Sequence, residues 1–222
     1  LEYIKAILPE LCIHKIPTGT PIYDWVIPQE WSLNRAYIEG LDGSILVDSV
    51  NSNLHVVGYS EPIDKIVSLE ELKSHLHYLE DLPEAIPYVT SYYFRTWGFC
   101  IKYSQLSEFK DDFYRVVIDS NLYDGNLTFG DLVVRGKTEQ EVVFSTYICH
   151  PSMANDSLSG VLVAASIGKY LMEQNELNYS YRIIFVPETI GAIAYCALNE
   201  KIMQEIDVGI VVTTCGGPGK FG

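Results

Sequence analysis

From Glu141 onward the chain alternates near-continuous apolar strands with apolar helices, and this alternation restricts the fold more than any other feature. Val142–Cys149 reads as a buried strand and Leu158–Glu173 as a helix. Tyr181–Val186 reads as a second buried strand, Ala192–Glu205 as a second helix and Val208–Thr213 as a third strand. Strands lacking polar alternation are covered on both faces, and helices between them make crossovers to parallel neighbours. The expectation is an α/β fold with a parallel-rich sheet flanked by helices.

The preceding residues have a different texture. Leu1, Ile4, Leu8 and Leu11 predict a helix over residues 1–13, and Pro17–Pro21 a turn. Short strands are predicted at Tyr23–Ile27, Arg35–Ile38, Ser44–Asp48 and Leu54–Tyr59, with a hairpin signal at Leu41-Asp42-Gly43-Ser44. Ser68-Leu-Glu-Glu71 fits a capping box opening a helix to about Leu79. Tyr88–Ile101 is extended and aromatic-rich. Phe113–Asp119 and Asn126–Val134 read as strands joined across Tyr123-Asp124-Gly125. Residues 22–110 are therefore expected to form an inserted mixed, β-rich subdomain, with 1–21 and 111–222 forming the α/β core. The chain opens without Met and stops at Pro218–Gly222, just after an apolar strand. It reads as a piece of a longer polypeptide, truncated at the C-terminus.

Charge narrows the partners. With a formal net charge of −14, only 15 Lys plus Arg and no basic run, a phosphate backbone would be repelled, so no nucleic acid is expected. The longest apolar stretch, Val161–Met172, contains Lys169 and is too short for a bilayer, so no membrane partner is expected either. The five cysteines are an odd count with no C-x-x-C and no visible signal peptide. Reduced thiols in a cytoplasm are the plain reading. The 16 Tyr and the acidic surface are compatible with a homo-oligomer.

The chemistry concentrates at strand ends. His150 follows the first crossover strand and Glu188 the second; if the strands are parallel, both rise on the edge where such sheets bind ligands. Asp156 returns to that edge at the start of the following helix, where free N–H groups and the dipole favour its charge. Ser159-Gly160 would let the first helical turn pack closely on the strand. Cys149 and His150 are adjacent strand residues, expected to face opposite ways, which leaves Cys149 in the core. Ser152 and Ser157 lack a nucleophile elbow. Tyr92, Tyr93, Phe94, Trp97 and Phe99, with Arg95, could line a substrate cleft, although core is the better reading for most. His55, His75 and His77 read as surface or structural residues.

Asn155-Asp156-Ser-Leu-Ser159-Gly160, with His150 upstream and Phe185-Val-Pro-Glu188-Thr-Ile-Gly191 downstream, resembles the N-D-x-x-S-G signature of the co-catalytic M28 zinc aminopeptidases. More closely, Pro17-Thr-Gly-Thr, Asp24-Trp25, Leu54-His-Val-Val-Gly-Tyr-Ser-Glu-Pro62, Tyr92-Tyr93 and Tyr147-Ile-Cys-His-Pro-Ser-Met-Ala-Asn155 resemble a bacterial aminopeptidase-like family. That family is linked with polysaccharide biosynthesis and carries an inserted domain of unknown function. The resemblance implies a zinc-aminopeptidase-like core with His150 and Asp156 as metal ligands. Glu188 would be the general base as a metal-activated water attacks an amide. Three positions depart from the peptidase pattern: Thr189 replaces a second Glu, Ser152 an Asp, and Thr213 lies where a strand end delivers a carboxylate. One zinc ion, bound in the full-length protein, is the resulting expectation. Two functions follow: hydrolysis of a small peptide or amide, saccharide-linked ones included, or a degenerate scaffold binding a saccharide or protein in polysaccharide assembly.

Overall fold

The computed structural model describes residues 1–150 and 153–219. In chain order the helices and strands are α1 (Glu2–Ile7), β1 (Cys12–Pro17), β2 (Pro21–Ile22), β3 (Trp25–Val26), β4 (Glu30–Gly40), β5 (Ile45–Asp48), β6 (Ile63–Ser68), α2 (Leu69–Ser74), β7 (Leu76–His77), β8 (Phe99–Cys100) and β9 (Phe113–Tyr123). There follow β10 (Asn126–Val134), β11 (Glu141–Tyr147), α3 (Gly160–Met172), β12 (Ser180–Val186), α4 (Ile190–Leu198), α5 (Glu200–Gln204) and β13 (Ile206–Val211). They divide into two compact units: residues 1–27 with 125–222, and residues 28–124.

The first unit is built on a five-stranded sheet in the order β1-β10-β12-β11-β13. Pairing is parallel for β12/β11 and β11/β13 and antiparallel for β1/β10 and β10/β12. The expected crossovers are thus present, joined to an antiparallel edge. β12 is buried almost throughout because both its faces are covered. Ile183 and Phe185 pack with Ile4 of α1, with Leu8 just after it, and with Val161, Ala164 and Leu171 of α3. The alternate residues point the other way, and Arg182 among them reaches Tyr195 of α4 at 3.2 Å.

Arg182, 4% exposed, is held by a polar network instead of water. Its Nε and Nη2 donate to Glu141 at 2.7 and 3.1 Å, and its Nη1 donates to Asp131 at 3.3 Å. Tyr195 Oη donates to the same Asp131 carboxylate at 3.0 Å, and His14 Nε2 lies 2.8 Å from its other oxygen. A buried charge persists only when paired in this way.

The second unit is a four-stranded antiparallel sheet in the order β5-β4-β9-β6. β9 shows a period of two: Tyr114, Val116, Ile118 and Ser120 are buried and their neighbours mostly are not. The predicted hairpin joins β4 to β5, with Gly43 at φ +87° and the Ser44 N–H donating to Asp42 Oδ1 at 2.9 Å.

Several elements differ from expectation. The first helix stops at Ile7, and Cys12–Pro17 becomes a strand because it pairs with β10. Ser68 caps α2 as predicted, its Oγ accepting from the Glu71 N–H at 3.1 Å, but the helix ends at Ser74. Leu76 and His77 instead pair with Phe99 and Cys100, and His75 stacks on Trp97 at 3.7 Å, so His75 and His77 do not share a helix. The strands at 113 and 126 are not a hairpin: β9 belongs to the second unit's sheet and β10 to the first's. The unit boundaries consequently fall at 27/28 and 124/125, where 21/22 and 110/111 were expected. Phe99 is buried, while Tyr93 and Phe94 are 57% and 76% exposed and so not core.

Candidate metal centre

The last residues of β11 and β12, Tyr147 and Val186, are opposite each other in the parallel register. The Ile148 N–H continues the ladder, donating to Val186 O at 3.0 Å. Ile148–His150 and Pro187–Glu188 therefore leave the sheet side by side at its carboxyl edge, where α/β folds place ligands. β13 runs to the same edge, its extension tied by the Val212 N–H donating to Ser145 O at 2.8 Å.

There the three residues singled out by the sequence converge. His150 Nε2 lies 3.0 Å from Glu188 Oε2 and 3.9 Å from Asp156 Oδ1. The imidazole is 7% exposed, against 42% and 49% for the two carboxylates, so a ligand reaching the site meets the carboxylates first.

Asp156 is not at the helix start. α3 begins at Gly160, and Asp156 sits ahead of it in an irregular turn with φ −110° and ψ 92°, followed by a cis peptide to Ser157. The turn is pinned to the strand by the Ser157 hydroxyl, which donates to Tyr147 O at 2.7 Å, and the Gly216 N–H donates to Asn155 Oδ1 at 2.8 Å. The expected close approach at Gly160 is present: a Cβ there would run into Val212 O and lie 2.9 Å from Thr146 Oγ1.

Glu188 is aimed by a tight turn. The Ile190 N–H donates to Glu188 O at 2.7 Å around Thr189, whose φ of 57° and ψ of −74° make it the centre of a γ-turn. Thr189, at the position of the peptidases' second Glu, thus serves as the corner into α4. Ser152 lies outside the described residues.

Two residues at the site were not assigned there from sequence. Tyr147 sets its ring edge-on to His150 at 5.3 Å, and its hydroxyl accepts from Thr213 Oγ1 at 2.6 Å. Burial pushes this phenol up, with the bond to Asp156 adding to the effect against the Thr213 bond. Cys149, expected in the core, is half-buried with Sγ 3.9 Å from His150 Nδ1 and accepts the Glu188 N–H at 3.1 Å. The alternation rule fails there because β11 has already ended at Tyr147. Burial raises the Cys149 thiol above its ordinary value, opposed by the Glu188 N–H.

The donor set fits zinc, which takes imidazole nitrogen, carboxylate oxygen and sulfur. Donor atoms of Cys149, His150 and Glu188 all lie within 4.8 Å of one another. Asp156 Oδ1 is buried and accepts no hydrogen bond from the described residues, although it faces the imidazole. A buried carboxylate oxygen without a donor is costly, and a cation held there would remove the cost.

A family model described as a domain of unknown function, DUF4910, matches residues 1–222. The chain belongs to the DUF4910 family. A Clostridium acetobutylicum protein whose name refers to polysaccharide biosynthesis and an aminopeptidase-like domain is 43% identical over 219 residues, 99% of this chain and 50% of that protein. A crystal structure from the same organism, named as a peptidase by assignment, superposes with a TM-score of 0.90 at 42% identity, over 98% of this chain and 52% of that one. The chain thus spans about half the length of these relatives. A zinc aminopeptidase from Bacillus subtilis matches with a TM-score of 0.59 at 10% identity, over 95% of this chain and 60% of that chain. An M28 peptidase precursor from Shewanella amazonensis matches at 0.58 and 9%, over 94% and 62%. The DUF4910 chain has the aminopeptidase-like α/β fold of the M28 peptidases.

Proposed function

We propose that the full-length protein is a zinc-dependent, aminopeptidase-like amide hydrolase, with His150 and Asp156 holding one zinc ion and Glu188 as general base. The observation that carries this reading is the buried Asp156 Oδ1, facing His150 Nε2 at 3.9 Å and accepting no hydrogen bond from the described residues. When bound, zinc would supply Lewis acidity to the attacking water and the amide carbonyl. Glu188, half exposed beside the imidazole, would take the proton from that water and return it to the leaving nitrogen. Tyr147, held protonated by burial and by its bond to Asp156, would orient that carboxylate.

The substrate class proposed is a small peptide or amide, saccharide-linked ones included, following the polysaccharide biosynthesis in the relative's name. The cytoplasm is the proposed compartment: all five cysteines are free, in keeping with a reducing surrounding. No helix among the described residues is long and apolar enough to cross a membrane.

The test is metal content and amide hydrolysis by the full-length protein. We expect about one zinc per chain, lost in His150→Ala and Asp156→Ala, and retained in Glu188→Gln with hydrolysis reduced by at least 100-fold, within the usual contribution of a general base of about 10²–10⁴. Loss of zinc in Glu188→Gln would reassign Glu188 as a ligand, and retained hydrolysis would remove it as the base. A second reading, a scaffold that binds a saccharide or protein without hydrolysis, is favoured by one contact: Thr213, where the peptidases have a carboxylate, is committed to Tyr147 at 2.6 Å. Wild-type protein that takes up no zinc from excess metal would select it.

A further inference from the structure

We infer that Cys149 is a positioning residue of the metal centre, a single sulfur that fixes the orientation of the His150 ring and the place of Glu188. The inference rests on the zinc reading above. A ligating imidazole uses one nitrogen for the metal, and the partner of the other nitrogen sets its tautomer and angle. In His150 the two nitrogens face different neighbours: Nε2 faces Glu188 and Asp156, and Nδ1 faces Cys149 Sγ at 3.9 Å. With Nε2 committed to a metal, the ring proton resides on Nδ1, and the Cys149 sulfur is an acceptor on that side of the ring.

The same sulfur accepts the Glu188 N–H at 3.1 Å. One atom therefore ties the end of β11 to the end of β12, at the two residues whose separation defines the site. This bond crosses 39 residues of sequence, between positions that the parallel register of β11 and β12 brings opposite each other. Sulfur suits the task because its size lets it serve two donors too far apart for one hydroxyl oxygen, whose hydrogen bonds fail beyond about 3.2 Å. The place usually filled by an outer-sphere carboxylate or carbonyl would here be filled by a thiol.

The experiment is cobalt(II) binding to the full-length protein, read by affinity and by absorption, in wild type, Cys149→Ala, Cys149→Val and Cys149→Ser. Removing an outer-sphere partner typically costs 10–100-fold in metal affinity. We expect that loss, with altered visible bands, in the Ala and Val variants, and partial recovery in Ser, which keeps an acceptor. Val fills the space without accepting a hydrogen bond, so it separates packing from positioning. Wild-type affinity and bands in whichever of Ala and Val folds would overturn the role while leaving the zinc reading intact. A near-ultraviolet thiolate-to-cobalt band in wild type would overturn it by making Cys149 a ligand. No cobalt uptake by wild type would overturn both.

Discussion

Thr189 occupies the centre of a γ-turn, with φ 57° and ψ −74°, carrying a β-branched side chain where one is rarely found. Such conformations cost about 1–3 kcal/mol and persist where surrounding structure holds them, commonly beside functional groups. Thr189→Gly is expected to stabilise the protein by about 1 kcal/mol and raise Tm in thermal unfolding. An unchanged or lower Tm would mean that the side chain offsets the strain through contacts of its own. The same turn separates what could be read from sequence at this scale from what could not. The convergence of His150, Asp156 and Glu188 is legible because each is a polar residue at the margin of an apolar run. The placement of Cys149 and Tyr147 beside them is not, because it depends on where β11 stops. Alternation predicts facing inside a strand and says nothing one residue beyond it.

At the scale of elements, the site depends on how closely α3 approaches the end of β13. Gly160 permits that approach, since a Cβ would meet Val212 O and stand 3.0 Å from Thr213 Cα, both backbone atoms that move only with the strand. Gly160→Ala is expected to destabilise by about 1–3 kcal/mol, the usual cost of forcing atoms into a filled space. It should also displace the Asp156 turn, which denaturant titration together with zinc affinity would register; normal values for both would show that the helix shifts freely. The core strands and α3 were legible because long apolar runs leave few alternatives. The second helix of the sequence reading was overextended at Leu76–His77 for the opposite reason. Two residues chose a strand because Phe99 and Cys100 were there to pair with, which no local propensity records.

Across the whole molecule, the described residues leave one side of the first unit's sheet exposed. β13 is an edge strand with Val208, Ile210 and Val211 between 43% and 68% exposed, and α3 presents Leu162, Val163 and Tyr170 to solvent. Apolar edges of this kind invite pairing with other chains. The 222-residue chain is expected to self-associate in light scattering, and Val211→Lys to reduce that association; equal scattering by both would place the contact elsewhere. The two-unit organisation was legible in outline, from the change of texture along the chain. The boundary at Tyr123-Asp124-Gly125 was not, because a turn signal does not say whether the next strand returns to the same sheet. The first unit is also discontinuous: His14 on β1 meets Asp131 on β10, 117 positions later. During synthesis β1 therefore leaves the ribosome without a mate and waits while residues 28–124 are made. Those residues carry every strand of their own four-stranded sheet and can fold in the interval. The insert can thus fold ahead of the unit bearing the candidate metal centre, whose sheet closes only when β10 arrives to claim the strand made at the start.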